Sequence, residues 1–145
     1  MQAGVLRRMD ALAVRWRGQR DATHLMTGLR GEREALFHLR RLGYVVVARR
    51  WKTPKLRGDV DLIAWDGEWL CFVEVKTRGS RGVVAAEAAI DEEKQAMLRR
   101  MARAYLRGFP EPGRNSVPVR FDVVSVYLRG SGNEFEVQKG AFRWV

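Results

Sequence analysis

The residues best equipped for chemistry are Asp61 and the triplet Glu74-Val75-Lys76, two carboxylates twelve intervening residues apart with a lysine two positions after the second. Side chains alternate along a strand, so if both segments are extended Glu74 and Lys76 share one face with Phe72, and Asp61 shares a face with Asp59. Two carboxylates are hard oxygen donors of the kind Mg²⁺ or Mn²⁺ takes, with the Val75 carbonyl as a third donor and water completing the shell. Water held this way can be polarised for attack on phosphorus. Lys76 could orient that water or stabilise charge growing on the phosphoryl oxygens, and its part as a general base stays open. The competing reading is a row of cross-strand ion pairs on a solvated face. It is the weaker of the two, because Glu-x-Lys sits inside the apolar run WLCFVEVKTR, directly after an Asp-bearing strand, in a basic protein.

Elements able to position these groups follow from the pattern around them. DVDLIAWD (59–66) and WLCFVEVKTR (69–78) are two strand patterns joined by a short turn containing Gly67, an antiparallel hairpin. Its apolar face is expected to carry Val60, Leu62, Ala64, Cys71, Val73 and Val75, with Asp61, Glu74 and Lys76 opposite. Upstream, GEREALFHLRRL (31–42) has a helical stripe of Ala35, Leu36, Leu39 and Leu42 ending at Gly43. YVVVARRW (44–51) then reads as a strand entering a basic bend around Pro54 and Gly58. Downstream, residues 79–84 form a glycine-containing loop, and 85–107 form a long helix with Ile90, Met97, Met101 and Ala104 on its stripe. A strand over 119–129, a turn over 130–133 and a short edge strand starting near Phe135 complete the order. Helix, three strands, helix and strand fit an α/β domain with a mixed sheet.

The 145-residue chain has one domain's worth of sequence, enough to bury roughly two thirds of its unfolded surface. With 46% hydrophobic and 30% charged residues its composition is that of a globular protein, not a disordered or collagen-like one. No segment nears the ~20 apolar residues of a membrane-spanning helix, and residues 1–16 lack the core of a secretory signal, so no membrane partner is expected. A single cysteine, Cys71, flanked by Leu70 and Phe72, can form neither an internal disulfide nor a multi-thiolate metal site, which points to a buried strand position and a cytoplasmic setting. His24 and His38 lack a ligand motif. Trp65, Trp69, Met97 and Met101 read as packing residues.

The formal charge of +10 is segregated. Residues 1–57 hold 14 Lys or Arg against 4 Asp or Glu, while the remainder is balanced. Such a field attracts polyanions and makes affinity salt-dependent, which favours a nucleic acid, DNA with RNA not excluded, over a merely solvated surface. Arg49, Arg50, Lys52, Lys55 and Arg57 bracket the basic bend, Arg78 and Arg81 follow the Glu-x-Lys strand, and all seven are candidate phosphate contacts. Trp51 could stack on an exposed base. Residues 1–27 read as a basic N-terminal segment, helical or partly mobile, ahead of an α/β domain over 28–145.

The stretches Gly31-Glu32-Arg33-Glu34-Ala35, Gly58-Asp59-Val60-Asp61-Leu62-Ile63 and Phe72-Val73-Glu74-Val75-Lys76-Thr77-Arg78 together resemble the PD-(D/E)xK nuclease superfamily. The resemblance is specifically to the small YraN-like proteins predicted to be endonucleases and similar to archaeal Holliday-junction resolvases, and it spans roughly residues 28–128. It implies a single restriction-endonuclease-like α/β domain, a central mixed β-sheet flanked by helices, acting as a Mg²⁺-dependent endonuclease on DNA, branched or structured DNA among its substrates. It also implies Asp61 and Glu74 as metal ligands, Lys76 as the assisting cation and Glu32 as a further acidic catalytic residue. A favourable interaction of Glu32 with the positive helix end explains it equally well. Val60 stands where the superfamily name has proline, and Asp59 where many relatives have glutamate. Lys94 matches a family lysine reaching towards the phosphate site, or else snorkels along the core edge. A homodimer follows from the paired incisions of a resolvase. The alternatives are a catalytically weak nucleic-acid-binding protein on the same fold and an exonuclease using the same site.

Overall fold

The computed structural model describes residues 23–78 and 90–145. Most of the expected 1–27 segment, the 79–84 loop with Arg81, and the first turn of the expected 85–107 helix therefore lie outside the described residues. The chain divides between Arg30 and Gly31 into two units. In the first, residues 23–30 are helical.

The helical run goes on through residues 31–41 of the second unit, α1, so Glu32 does not stand at a helix start as the sequence suggested; β1 (Val45–Trp51), β2 (Val60–Asp66), β3 (Trp69–Arg78), α2 (Glu92–Leu106), β4 (Val119–Tyr127) and β5 (Glu134–Phe142) follow. The five strands form one sheet in the order β1-β2-β3-β4-β5. Pairing is antiparallel except between β3 and β4, which run parallel across the α2 crossover, so the sheet is mixed as expected.

α1 stops one residue earlier than the apolar stripe suggests. Gly43 adopts a left-handed backbone (φ 95°), Gly43 N–H donates to the Arg40 carbonyl and Tyr44 N–H to that of Leu39, satisfying the orphan carbonyls of the last turn. Leu42 thus falls outside the helix and is exposed, while Leu39 and Tyr44 meet in the core. The β2–β3 turn has two central residues, Gly67 and Glu68, closed by the Asp66–Trp69 pair, with φ 60° at Gly67.

Both faces of the hairpin are buried, a correction to the expected one-sided arrangement. Leu62, Ala64, Cys71 and Val73 pack with Ala35, Leu36 and Leu39 of α1, and Ile63, Leu70 and Phe72 pack with Leu98, Met101, Ala102 and Leu106 of α2. Val60 belongs to the α2 side with Ile63, not with Leu62, so strict alternation breaks at Asp61. Ile90 also lies before α2, since Asp91 is the N-cap, its carboxylate accepting the Lys94 N–H at 2.8 Å. β5 is nine residues long, beyond the short edge strand expected. Cys71 is fully buried, as expected, and burial pushes its thiol up to about 12.

Candidate functional site

The site grows from the point where β2 and β3 cease to pair. The ladder runs from the turn to Leu62–Val73, and beyond it Asp61 Oδ2 accepts the Val75 N–H at 2.8 Å in place of a main-chain partner. A side chain that closes the ladder must lie at the gap between strands, which explains why Asp61 departs from both hairpin faces. Glu74 follows Leu70 and Phe72 on the α2 side. Asp61 and Glu74 are only 9% and 6% exposed, so two carboxylates stand close together in a desolvated setting. Burial followed by the Asp61 charge pushes Glu74 up to about 7, and burial likewise raises Asp61.

Two lysines face this pair as ion-pair partners of Glu74. Lys76 Nζ is 3.6 Å from Glu74 Oε1, and Lys94 Nζ, delivered by the first turn of α2, is 3.5 Å from Oε2. At that separation Lys94 attracts electrostatically but makes no hydrogen bond, and Glu74 Oε2 is a buried oxygen without a hydrogen-bond donor among the described residues. Lys94 therefore reaches the carboxylates instead of snorkelling away.

α1 brings a third carboxylate. Gly31 packs so close to β3 that a Cβ there would run into Thr77 Oγ1, which places Glu32, the next residue, near the acidic end of β2. Burial and then Asp61 raise Glu32, while Arg50 opposes them through an ion pair from Nε to Oε2 at 3.2 Å. Arg50 holds a left-handed backbone (φ 45°), rare and costly for a residue with a side chain. In the β1–β2 register it falls between the Arg49–Leu62 and Trp51–Val60 pairs, opposite Asp61. The sequence suggested Arg50 as a phosphate contact; the structure pairs it with Glu32.

Among the other sequence candidates, Arg49, Lys52, Lys55 and Arg57 are exposed along the end of β1 and the following bend, and Arg78 is half-buried at the end of β3. Trp51 does not offer a free ring: it packs into the α2-side core with its edge to Tyr105 at 5.3 Å. His38 is stacked on Phe135 at 4.1 Å, away from any acid-base role suggested by the carboxylates. Sequence reasoning missed Gly31 and Thr77, although Gly31 sits in one of the motif stretches and a glycine ahead of a helical stripe is a recognisable mark of close approach.

Among the described residues no cluster of three or more His, Cys, Asp and Glu gathers as metal ligands. The donor set that is present still fits a hard cation. Asp61 and Glu74 supply carboxylate oxygens, one of them buried without a donor, and ions such as Mg²⁺ commonly use one or two carboxylates with water filling the rest.

Fold and site together define an α/β protein whose mixed sheet carries a buried acidic pair faced by two lysines. Residues 31–126 match the family described as "Uncharacterised protein family UPF0102", and the chain belongs to that family. It is 49% identical over 122 residues to a UPF0102 protein of Koribacter versatilis, covering 84% of this chain and 82% of the relative. A UPF0102 protein of Solibacter usitatus is 45% identical over 112 residues (77% and 82% covered), and one of Rhodococcus jostii 38% over 117 (81% and 94%). The family match begins at Gly31 and takes in Glu32, Asp61, Glu74, Lys76 and Lys94.

No helix among the described residues is long and apolar enough to cross a membrane.

Proposed function

We propose that the chain is a Mg²⁺-dependent phosphodiester hydrolase with a restriction-endonuclease-like fold of the PD-(D/E)xK type, an endonuclease acting on DNA. The observation that carries this reading is the buried, donor-free Glu74 Oε2 beside Asp61. Desolvated carboxylates so close together disfavour their own ionisation, and a divalent cation is the ligand that relieves this. Asp61 and Glu74 would hold Mg²⁺ or Mn²⁺, with the Val75 carbonyl as a further oxygen donor. Bound there, the ion would supply positive charge for the phosphoryl oxygens and a more acidic water.

The chain's own groups divide the remaining work. Lys76, the more exposed of the two lysines, contacts the phosphoryl oxygens as their charge rises, and Lys94 holds the Glu74 carboxylate in place from α2. Glu32, steadied by Arg50, adds a third acid at the edge of the site. Arg49, Lys52, Lys55, Arg57 and Arg78 grip the backbone. Branched or otherwise structured DNA and a homodimer with two sites extend the same reading, and the lone buried Cys71 suits a reducing cytoplasm.

The test is a Mg²⁺ and Mn²⁺ cleavage panel over linear, single-stranded, flap and four-way DNA with product-end mapping, repeated with Lys76→Met. Internal cuts by the wild type, and a large fall in single-turnover rate for Lys76→Met with DNA affinity lowered only modestly, are expected. Equal cleavage by both proteins would remove Lys76 from the chemistry. Binding without cleavage on every substrate would favour a nucleic-acid-binding protein that keeps the fold, and cuts confined to ends would make it an exonuclease.

A further inference from the structure

We infer that the outer flank of α2 is a second phosphate-binding surface, on which Arg99, Arg103 and Arg107 take the backbone of one nucleic-acid strand. This rests on the proposed nucleic-acid substrate but uses none of the residues of the acidic site or of the basic bend.

Arg99, Arg103 and the C-cap Arg107 are spaced by four residues each, so they form one ridge along α2 beside the stripe of Leu98, Met101, Ala102 and Leu106 that faces the sheet. None of the three is in an ion pair with a carboxylate among the described residues. Like charges four residues apart repel and weaken a helix. The helix dipole favours cations only within the last turn, which accounts for Arg103 and Arg107 but not for Arg99 in the middle. An anion lying along the ridge would relieve the repulsion.

The ridge is also held ready. The Arg99 guanidinium lies 5.2 Å from the Phe142 ring centroid and donates through Nε to the Arg143 carbonyl at 2.9 Å, and the Arg103 guanidinium lies 5.2 Å from the Trp144 ring centroid. Stacking restrains these side chains while leaving guanidinium donors available, so less conformational freedom is lost when phosphate binds. Eight residues of helix span ~12 Å. That length matches a short run of consecutive phosphates on one strand, with one arginine per phosphate contact. An anionic membrane is the less suitable partner, because α2 contributes none of the large exposed hydrophobic side chains that an interfacial helix would bury.

The experiment is fluorescence anisotropy of a labelled DNA duplex in EDTA across a range of NaCl concentrations. It compares the full-length wild type, Arg99→Gln/Arg103→Gln/Arg107→Gln, and the same three positions changed to Lys. Mn²⁺ calorimetry and thermal melting run on each protein, with phosphatidylserine vesicles as a separate binding arm. The Gln variant is expected to bind more weakly, with its log K against log salt slope smaller by ~2 to 3, close to 0.9 per lost contact. The Lys variant should keep most of the slope, and Mn²⁺ affinity should not change. An unchanged slope in a folded Gln variant overturns the ridge and leaves the hydrolase proposal standing. Equal losses in the Gln and Lys variants would assign the effect to packing and overturn it too, as would ridge-dependent binding to vesicles with duplex binding untouched. Absence of duplex binding by the wild type overturns the ridge and leaves the hydrolase to its own cleavage panel, whereas ridge-dependent binding by a protein that cleaves nothing supports the ridge and overturns the hydrolase.

Discussion

Glu74 and Asp122 are buried carboxylates on adjacent parallel strands, one residue apart in register and on opposite faces of the sheet. Their surroundings treat them in opposite ways. On the α1 side Asp122 accepts four hydrogen bonds or charge-assisted contacts: Arg120 Nε and the Gly140 N–H on Oδ1, the Tyr44 hydroxyl and a second Arg120 nitrogen on Oδ2. Arg120 continues to Asp66 at 2.6 Å, and Lys139 reaches the same oxygen at 3.1 Å. The hydrogen bond to Asp122 raises Arg120, the bond from Arg120 lowers Asp66, and burial raises Tyr44. On the α2 side Glu74 has two lysines at 3.5 and 3.6 Å, a like charge nearby and a buried oxygen with no donor. A carboxylate whose every lone pair is used holds strands together; one left unsatisfied is available to a ligand.

The largest effect that can break this contrast is on Asp122. Asp122→Ala would strand the Arg120 guanidinium against a half-satisfied network, with an expected loss of ~3–5 kcal/mol in urea unfolding. A loss below ~1 kcal/mol would mean that the network is not structural.

Glu74 should behave in the reverse sense. Its folded value, about 7, lies above the ordinary 4.5, so between those values the native state binds more protons than the unfolded chain. Metal-free wild type should therefore lose stability as pH rises through that window, by ~3 kcal/mol, and level off above it. Glu74→Gln should show a shallower slope, the remainder coming from Asp61 and Glu32, and be the more stable protein at pH 8, as measured by denaturant midpoints in chelator. A parallel decline in the two proteins would show that Glu74 is satisfied after all.

Smaller effects sharpen the boundary between the two regions. Gly31→Val would force a side chain into Thr77, costing ~1–3 kcal/mol by overpacking and displacing Glu32, so stability and Mn²⁺ affinity should fall together. Tyr44→Phe removes one hydroxyl from the Asp122 network and should cost ~1 kcal/mol with Mn²⁺ affinity untouched.

The two regions were unequally legible in the sequence, and the reason is distance along the chain. Asp61, Glu74 and Lys76 lie on one hairpin whose turn and strand pattern are local signals, so their association follows from spacing. Tyr44 and Asp66 are brought to Arg120 from 76 and 54 residues away, and only the finished sheet order does so. The expectation that Val60, Leu62 and Ala64 line one face failed because Asp61 replaces a ladder bond, an event no alternation rule contains. The Asp91 cap was readable in Asp-Glu-Glu-Lys, where a capping aspartate precedes two acidic first-turn residues, but the apolar Ile90 drew the helix too far back. β5 outran its pattern because pairing with β4 continues through Gln138 to Phe142, past a register shift between Phe121 and Val123.

Whether Asp61 and Glu74 hold a divalent cation is decided by calorimetric titration of the wild type, Asp61→Asn, Glu74→Gln and Tyr44→Phe with Mn²⁺. One site is expected in the wild type, markedly weakened in both carboxylate variants while they remain folded, and intact in Tyr44→Phe. Unchanged Mn²⁺ affinity in both Asp61→Asn and Glu74→Gln would contradict that assignment.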